Sequence, residues 1–127
     1  MVSLDLKGMS PRDANLKLKS LIQNEEDIEI LNPHSMHNLA TALIGQGNIT
    51  IHGSTGFYTG GFLEGPLLCV KGNTGWYTGD NMMSGEIVVE MNTGSNVAPS
   101  MLGGTVLVRG SSGSRAGWGM KGGNLIV

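Results

Sequence analysis

The chain has 127 residues, the length of one ordinary domain, and a chain of this length can bury roughly two-thirds of its unfolded surface. Its 8 Lys and Arg against 10 Asp and Glu give a formal charge of −2, which argues against nucleic-acid binding, because phosphate recognition needs clustered basic side chains. With 14% charged and 39% hydrophobic residues the chain is not a disordered acidic tail, but its 21 glycines far exceed the typical share of roughly 7%.

The N-terminal segment predicts one amphipathic helix. Ser10 is placed to cap it, Pro11 fits the first helical position, and the helix is expected to end near residues 23–24. One face carries apolar residues at helical spacing. These residues are Ala14, Leu18, Leu21 and Ile22. We expect this helix to cover one end of the domain, with residues 1–26 as a helical cap and 27–127 as the main body.

A short acidic segment, 25–27, follows the helix and is interpreted as a solvated turn rather than a metal site. The alternating residues 27–31 predict an irregular first strand. The next segment contains His34 and His37 in HxxH spacing, but a metal site needs more ligands than these two, so we expect a turn or packing role.

From residue 48 onward the sequence repeats with a step of 19 residues, and 18 of the 21 glycines lie between residues 53 and 123. Corner glycines recur at one position of each repeat: Gly56, Gly75, Gly94 and Gly113. A second small position contains Gly60, Gly79, Ala98 and Gly117. An apolar position contains Leu63, Met82, Met101 and Met120. A turn position contains Pro66, Gly85, Gly104 and Gly123.

Each repeat also contains a short alternating strand. Its inward positions are Ile49 and Ile51, Leu68 and Val70, Ile87 and Val89, Val106 and Val108, and Leu125 and Val127. Its opposite face carries Thr50, Cys69, Val88, Leu107 and Ile126. One repeat cannot bury its own apolar face, so repeats must stack with equivalent residues above one another. We therefore predict an all-β, right-handed parallel β-helix of about 19 residues per coil with a short N-terminal capping α-helix.

Two other architectures fit less well. An antiparallel sandwich with glycine turns would not need a constant step, because hairpin loops vary in length. A left-handed hexapeptide solenoid has rows in multiples of six, and this pattern is not present.

Residues that could carry chemistry are few. Cys69, the only cysteine, excludes an internal disulfide and lies within a strand, which favours a structural thiol over a nucleophile. Glu86 and Glu90 bracket a strand and Asp80 lies in a turn, but their spacing does not demand acid–base catalysis. The glycine-rich segments match neither phosphate-binding loop motif. No catalytic, cofactor-binding or metal-binding residue is assigned.

Aromatic pairs occupy equivalent positions in two adjacent repeats, Phe57 and Tyr58 in one, Trp76 and Tyr77 in the next. We expect them to stack as two short ladders. Local packing would explain them, but an exposed patch that docks another protein is the functional alternative. Trp118 lies outside these positions.

The repeats resemble a known family. The motif Gly53-x-x-Gly56-x-x-x-Gly60 and its copy from Gly72 to Gly79, together with MMSGEIVV at 82–89, are similar to the GXGXG repeat. This family includes the C-terminal domain of the glutamate synthase large subunit, stand-alone glutamate synthase domain 3 subunits, and the related repeat subunit of formylmethanofuran dehydrogenase. Its fold is a right-handed parallel β-helix, in agreement with the repeat pattern.

The resemblance implies a non-catalytic scaffold that holds a glutamine amidotransferase subunit and an FMN-containing subunit in register. FMN and an Fe–S cluster are then expected in the partner subunits, with no cofactor in this chain. The formylmethanofuran dehydrogenase subunit and a self-contained ligand-binding β-helix remain alternatives.

Two expectations concern the surroundings of the chain. The N-terminus has charges where a secretory leader needs an apolar run, and no stretch approaches the roughly 20 apolar residues of a membrane span, so a cytoplasmic location is expected. Family members usually have more repeats, so we expect the β-helix to be incomplete at residues 125–127, or covered there by another subunit or a second copy.

Overall fold

The computed structural model describes residues 1–24 and 27–127, and within them the chain forms a parallel β-solenoid with one short helix. The strands form one sheet in chain order. They are β1 (Val2–Asp5), β2 (Asp27–Leu31), β3 (Asn48–His52), β4 (Leu67–Val70), β5 (Glu86–Val89), β6 (Thr105–Val108) and β7 (Asn124–Ile126), and helix α1 (Pro11–Ile22) separates β1 from β2.

The strand register confirms the 19-residue step. Leu67 pairs with Glu86 and Glu86 pairs with Thr105, and each neighbouring pair in the described sheet is parallel. The first coils are longer, because Val2 pairs with Ile28, 26 positions later, and Asp27 pairs with Asn48, 21 positions later. This parallel pairing confirms the predicted β-helix and rules out the antiparallel sandwich for the described residues.

The core consists of aliphatic ladders, as the repeat predicts. Ile49, Leu68 and Ile87 lie one above another in paired strands and are fully buried. Leu63, Met82 and Met101 form a second fully buried column, and Met120 packs partly buried against the core. Because each coil supplies equivalent side chains, burial of one coil depends on the coils beside it.

Helix α1 begins and packs as predicted. The Ser10 side chain accepts a hydrogen bond from the Asp13 backbone N–H at 3.1 Å, which caps the helix N-terminus. Ala14, Leu18 and Ile22 are buried, and Leu21, the fourth residue of the predicted face, is partly buried against the core. Asn15 ties the helix to the second coil, because its amide donates to the Asn38 carbonyl and accepts from the Ala40 N–H.

Strand β1 was not predicted, and it gives the sheet a strand before the helix. Helix α1 is therefore inserted between the first two paired strands. The division at residues 26 and 27 into a cap and a body stays a prediction. Residues 25 and 26 of the predicted acidic turn lie outside the described residues.

The arcs between strands contain a backbone feature that the sequence did not reveal. Left-handed conformations recur at alternating positions, as at Tyr58, Gly60 and Phe62 in one coil. The backbone N–H groups of Tyr58 and Phe62 donate to carbonyls of the following coil, whereas the N–H of Gly60 donates to the Leu39 carbonyl of the preceding coil. Each arc is thus hydrogen-bonded to both of its neighbours.

Two successive coils each contain a buried, hydrogen-bonded threonine pair. Thr59 donates to the Thr55 hydroxyl at 2.7 Å, and Thr78 donates to the Thr74 hydroxyl at the same distance in the next coil. In the coil after these two, Val97 stands where they have the donor, and the buried Thr93 hydroxyl has no partner among the described residues.

Replacing Val97 by Thr should therefore stabilise the protein. The new hydroxyl would pair with Thr93 as Thr78 pairs with Thr74, and a net gain of roughly 0.5–1.5 kcal/mol is expected, measured by urea unfolding. The matched variant Thr78→Val should lose roughly 1–3 kcal/mol, because it leaves the Thr74 hydroxyl buried and unpaired. A destabilised Val97→Thr would contradict this account.

Candidate functional site

The strongest surface feature comprises Phe57, Tyr58, Trp76 and Tyr77, which we call the aromatic surface. The Phe57 and Trp76 ring centroids are 6.0 Å apart with 29° between planes, and those of Tyr58 and Tyr77 are 4.9 Å apart with 12°. Trp76 also meets Tyr77 edge to face at 6.3 Å. These contacts confirm the two predicted ladders, while the docking role stays a prediction.

His37 extends the first ladder by one coil. Its ring lies 4.8 Å from the Phe57 ring, and its Nδ1 accepts a hydrogen bond from the Phe57 backbone N–H at 2.8 Å. An accepting Nδ1 carries no proton, so the neutral ring bears its hydrogen on Nε2. His37 therefore has the packing role expected for it.

The aromatic residues of this chain lie outside the core. The chain has two Phe, two Tyr and two Trp, and five of the six are exposed while Tyr77 is half-buried. Trp76 is 48% and Phe57 43% exposed, although each has a large apolar ring. Large apolar rings gathered on a surface are typical of interaction sites, because burying them against a partner releases their hydration.

A groove of about 250 Å³ borders the aromatic surface. Its lining residues come from four consecutive coils: Tyr58, Tyr77, Asp80, Asn96, Pro99, Ser100, Arg115 and Trp118. Two columns of the repeat account for most of them. Tyr58, Tyr77, Asn96 and Arg115 form one column at steps of 19, and Asp80, Pro99 and Trp118 form the other.

The two tyrosines of this groove have unfavourable backbone conformations. Tyr58 and Tyr77 have φ of 62° and 63°, a left-handed region that costs a bulky L-residue roughly 1–2 kcal/mol. Asn38 and Asn96 stand at the corresponding arc position with φ of 58° and 57°, and asparagine tolerates this conformation better. Tyrosine is therefore not the residue that backbone geometry favours here, which supports a functional use of its ring.

Asp80 is the acidic member of the groove. Partial burial raises the pKa of its carboxyl group, and the hydrogen bond from the Asn81 side-chain amide, at 2.9 Å, acts in the opposite direction. The net upward shift of the pKa means that the charged form of the Asp80 carboxyl group is less stable here than in water.

The other candidate residues do not converge on one site. Within the described ranges, no group of three or more His, Cys, Asp and Glu side chains could hold a metal ion. His52 contacts Glu29 at 2.9 Å on the sheet exterior. His34 and His37 border a cavity of about 360 Å³ between residues 6–11 and 32–37.

Cys69 lies half-buried on the outer sheet face beside Glu90. Burial is the main cause that raises the pKa of the Cys69 thiol, and the Glu90 carboxylate, 3.8 Å from Sγ, adds to the shift. Glu90 also contacts Arg109 at 3.2 Å. A raised pKa disfavours the thiolate, so the interpretation of Cys69 as a structural thiol gains support.

This shift predicts a slow thiol. At pH 7 Cys69 should react with an aromatic disulfide reagent more slowly than free glutathione does, because less thiolate is present. The rate should continue to rise as the pH passes the ordinary thiol pKa of 9.0. Fast labelling that is independent of pH between 6 and 9 would contradict the assignment.

The sequence found four residues of this region and missed the rest. From the sequence, Asp80 is a candidate only for acid–base chemistry, and Trp118 lies outside the columns of the other aromatic residues. The 19-residue step places Asn96 and Arg115 in the column of Tyr77, and it places Trp118 in the column of Asp80. Following that step along the chain is the signal that could have found these residues.

Comparison with known proteins adds no assignment. No family model, no curated protein and no solved structure matches this chain. Within the described residues, no helix has the length and apolar character needed to cross a membrane.

Proposed function

We propose that this chain is a non-catalytic scaffold subunit of a glutamate-synthase-like oxidoreductase, and that it docks partner subunits through its aromatic surface. The observation that carries the docking role is the placement of the aromatic residues. A core of aliphatic ladders leaves the large rings on the outside, and four of the six lie in one patch.

The interior supports a structural role. The buried polar side chains of the described coils are threonines. The side chains that fill the solenoid are Ile, Leu, Val, Met and Ala, which pack without offering acid, base or nucleophile. Stacked coils joined by sheet and arc hydrogen bonds form a rigid support on which partners can be positioned.

The identity of the partners rests on the resemblance to the GXGXG repeat. In this proposal a glutamine amidotransferase subunit and an FMN-containing subunit bind the solenoid in the cytoplasm. The redox chemistry takes place on FMN and an Fe–S cluster held by the partners. This chain only positions the two partner subunits relative to each other.

The test is affinity capture from native extract with the tagged full chain. We expect co-purification of a flavin-containing protein, detected by flavin absorbance, together with an amidotransferase identified by mass spectrometry. The double variant Phe57→Ala/Trp76→Ala should lose both partners, because it removes the exposed rings of one ladder.

Phe62→Asn is the matched control. Phe62 is 49% exposed and lies outside the aromatic surface, and Asn81 occupies the equivalent position of the next coil with φ of 53°. This variant should retain both partners. Capture without any flavoprotein, or equal capture by the double variant, would overturn the proposal.

Two other functions remain as alternatives, and the capture experiment distinguishes the first of them. A partner that contains a molybdenum or tungsten pterin would indicate the role of the repeat subunit in a formylmethanofuran dehydrogenase-type complex. A self-contained ligand-binding β-helix is favoured by one observation, the groove with its tyrosine, tryptophan and arginine lining.

A further inference from the structure

The groove beside the aromatic surface has a composition that suits a peptide. Tyr, Trp and Arg are the residues that dominate binding energy in protein interfaces, and Asn and Ser supply adaptable hydrogen bonds. The groove contains all five types. Its volume of about 250 Å³ is small for a drug-sized ligand site, so it fits a short segment that lies across it.

Six of the seven polar side chains that line the groove can donate a hydrogen bond. Arg115 and the Trp118 indole can only donate, whereas Tyr58, Tyr77, Asn96 and Ser100 can donate or accept. The acceptor-only side chain is Asp80, and its Oδ1 already accepts from Asn81. A donor-rich groove matches an occupant that offers carbonyl oxygens and few N–H groups. Proline-rich backbone has this property, because proline lacks the N–H. A saccharide offers donors and acceptors in similar numbers and matches less well.

The spacing of the groove also agrees with a polyproline II helix. Three residues of that helix rise about 9.3 Å, and equivalent side chains then return to one face. Two coils of a parallel solenoid rise about 9.6 Å. Tyr77 and Arg115 stand two coils apart in one column, with the shorter Asn96 between them. A polyproline II segment parallel to the solenoid axis can therefore repeat its contacts every second coil.

We propose that the groove formed by Tyr58, Tyr77, Asn96, Arg115 and Trp118 binds a proline-rich segment of a partner protein in polyproline II conformation. The rings contact proline faces, and the donors bind the peptide carbonyls. This inference rests on the proposed docking function, and it names the chemistry of one contact.

Tryptophan fluorescence tests the proposal directly. The chain has two tryptophans, so Trp76→Phe, which copies Phe57 of the preceding coil, leaves Trp118 as the sole reporter. Titration of this variant with a decaproline peptide should give a saturable change in Trp118 emission. A Gly-Ser decapeptide and cellohexaose should give none.

Groove variants make the test specific. Tyr77→Asn copies Asn96 and fits the left-handed conformation, so it should fold, and it should weaken decaproline binding roughly tenfold or more. Trp118→Ala, at a side chain 70% exposed, should do the same by calorimetry. Phe62→Asn should bind as wild type does. No saturable decaproline signal, saturation by cellohexaose instead, or unchanged binding in both groove variants would overturn the proposal.

The two proposals fail separately. If decaproline does not bind but the flavoprotein is captured, the groove assignment is wrong and the scaffold role stands. If decaproline binds in the groove but no flavoprotein is captured, the groove assignment stands and the glutamate-synthase-type role is wrong.

Discussion

Gly75→Ala is expected to lower the free energy of unfolding by about 3 kcal/mol, the upper part of the range for overpacking. A Cβ atom at Gly75 would lie 2.7 Å from the backbone carbon of Gly56 and 2.7 Å from the Phe57 ring. Backbone cannot move aside as a flexible side chain can, so the coils must separate locally. The measurement is urea or thermal unfolding followed by circular dichroism.

Gly61→Ala is the matched control in the preceding coil. A Cβ at Gly61 would meet no atom closer than 3.5 Å, and the equivalent positions carry Asp80, Pro99 and Trp118. Its free energy of unfolding should stay within about 1 kcal/mol of wild type, because a tolerated Gly→Ala change restricts the unfolded chain. Equal losses in both variants would show that close stacking at Gly75 is not the cause.

Leu68→Ala should cost roughly 2–5 kcal/mol, because it opens a cavity in the main ladder. Leu68 is fully buried between Ile49 and Ile87, and neither neighbour can move inward without breaking its own strand pairing. For a domain whose total stability is of the order of 5–15 kcal/mol, this loss is a large fraction. Chemical denaturation with an unchanged m-value measures it.

Leu102→Ala removes the same atoms from a side chain that is 44% exposed. We expect a loss of about 0.5 kcal/mol or less, as for most surface substitutions. If the two leucine variants lose equal stability, the Ile49–Leu68–Ile87 ladder is not the packing core that the structure indicates.

The repeat predicted most of the solenoid because its physics is local and periodic. Ladder residues such as Leu68 and Met82 recur at a constant step, and the step itself implies parallel stacking. The corner glycines were explained in advance by lack of space or by positive φ. At Gly75 the structure selects the first reason, because a Cβ would press into the preceding coil.

Strand β1 and the groove were not predictable in the same way. Helix α1 separates β1 from its partner by 26 positions, so no periodic signal connects Val2 with Ile28. The groove joins residues of different chemical types, such as Asp80 and Trp118, that share a column but not a composition. A search for equivalent residues finds ladders, whereas a site built from unlike residues becomes visible only when the coils are stacked.

Because the step is constant, the distance between two surface features along the solenoid axis is set by the number of coils between them. Each added coil lengthens the axis by about 4.8 Å while leaving strand register and arc hydrogen bonds as they are. Tyr77 and Arg115 are separated by two such steps. A duplicated 19-residue segment placed between them would change the span that a bound partner must bridge without altering either contact, so this molecule can serve as a spacer of adjustable length.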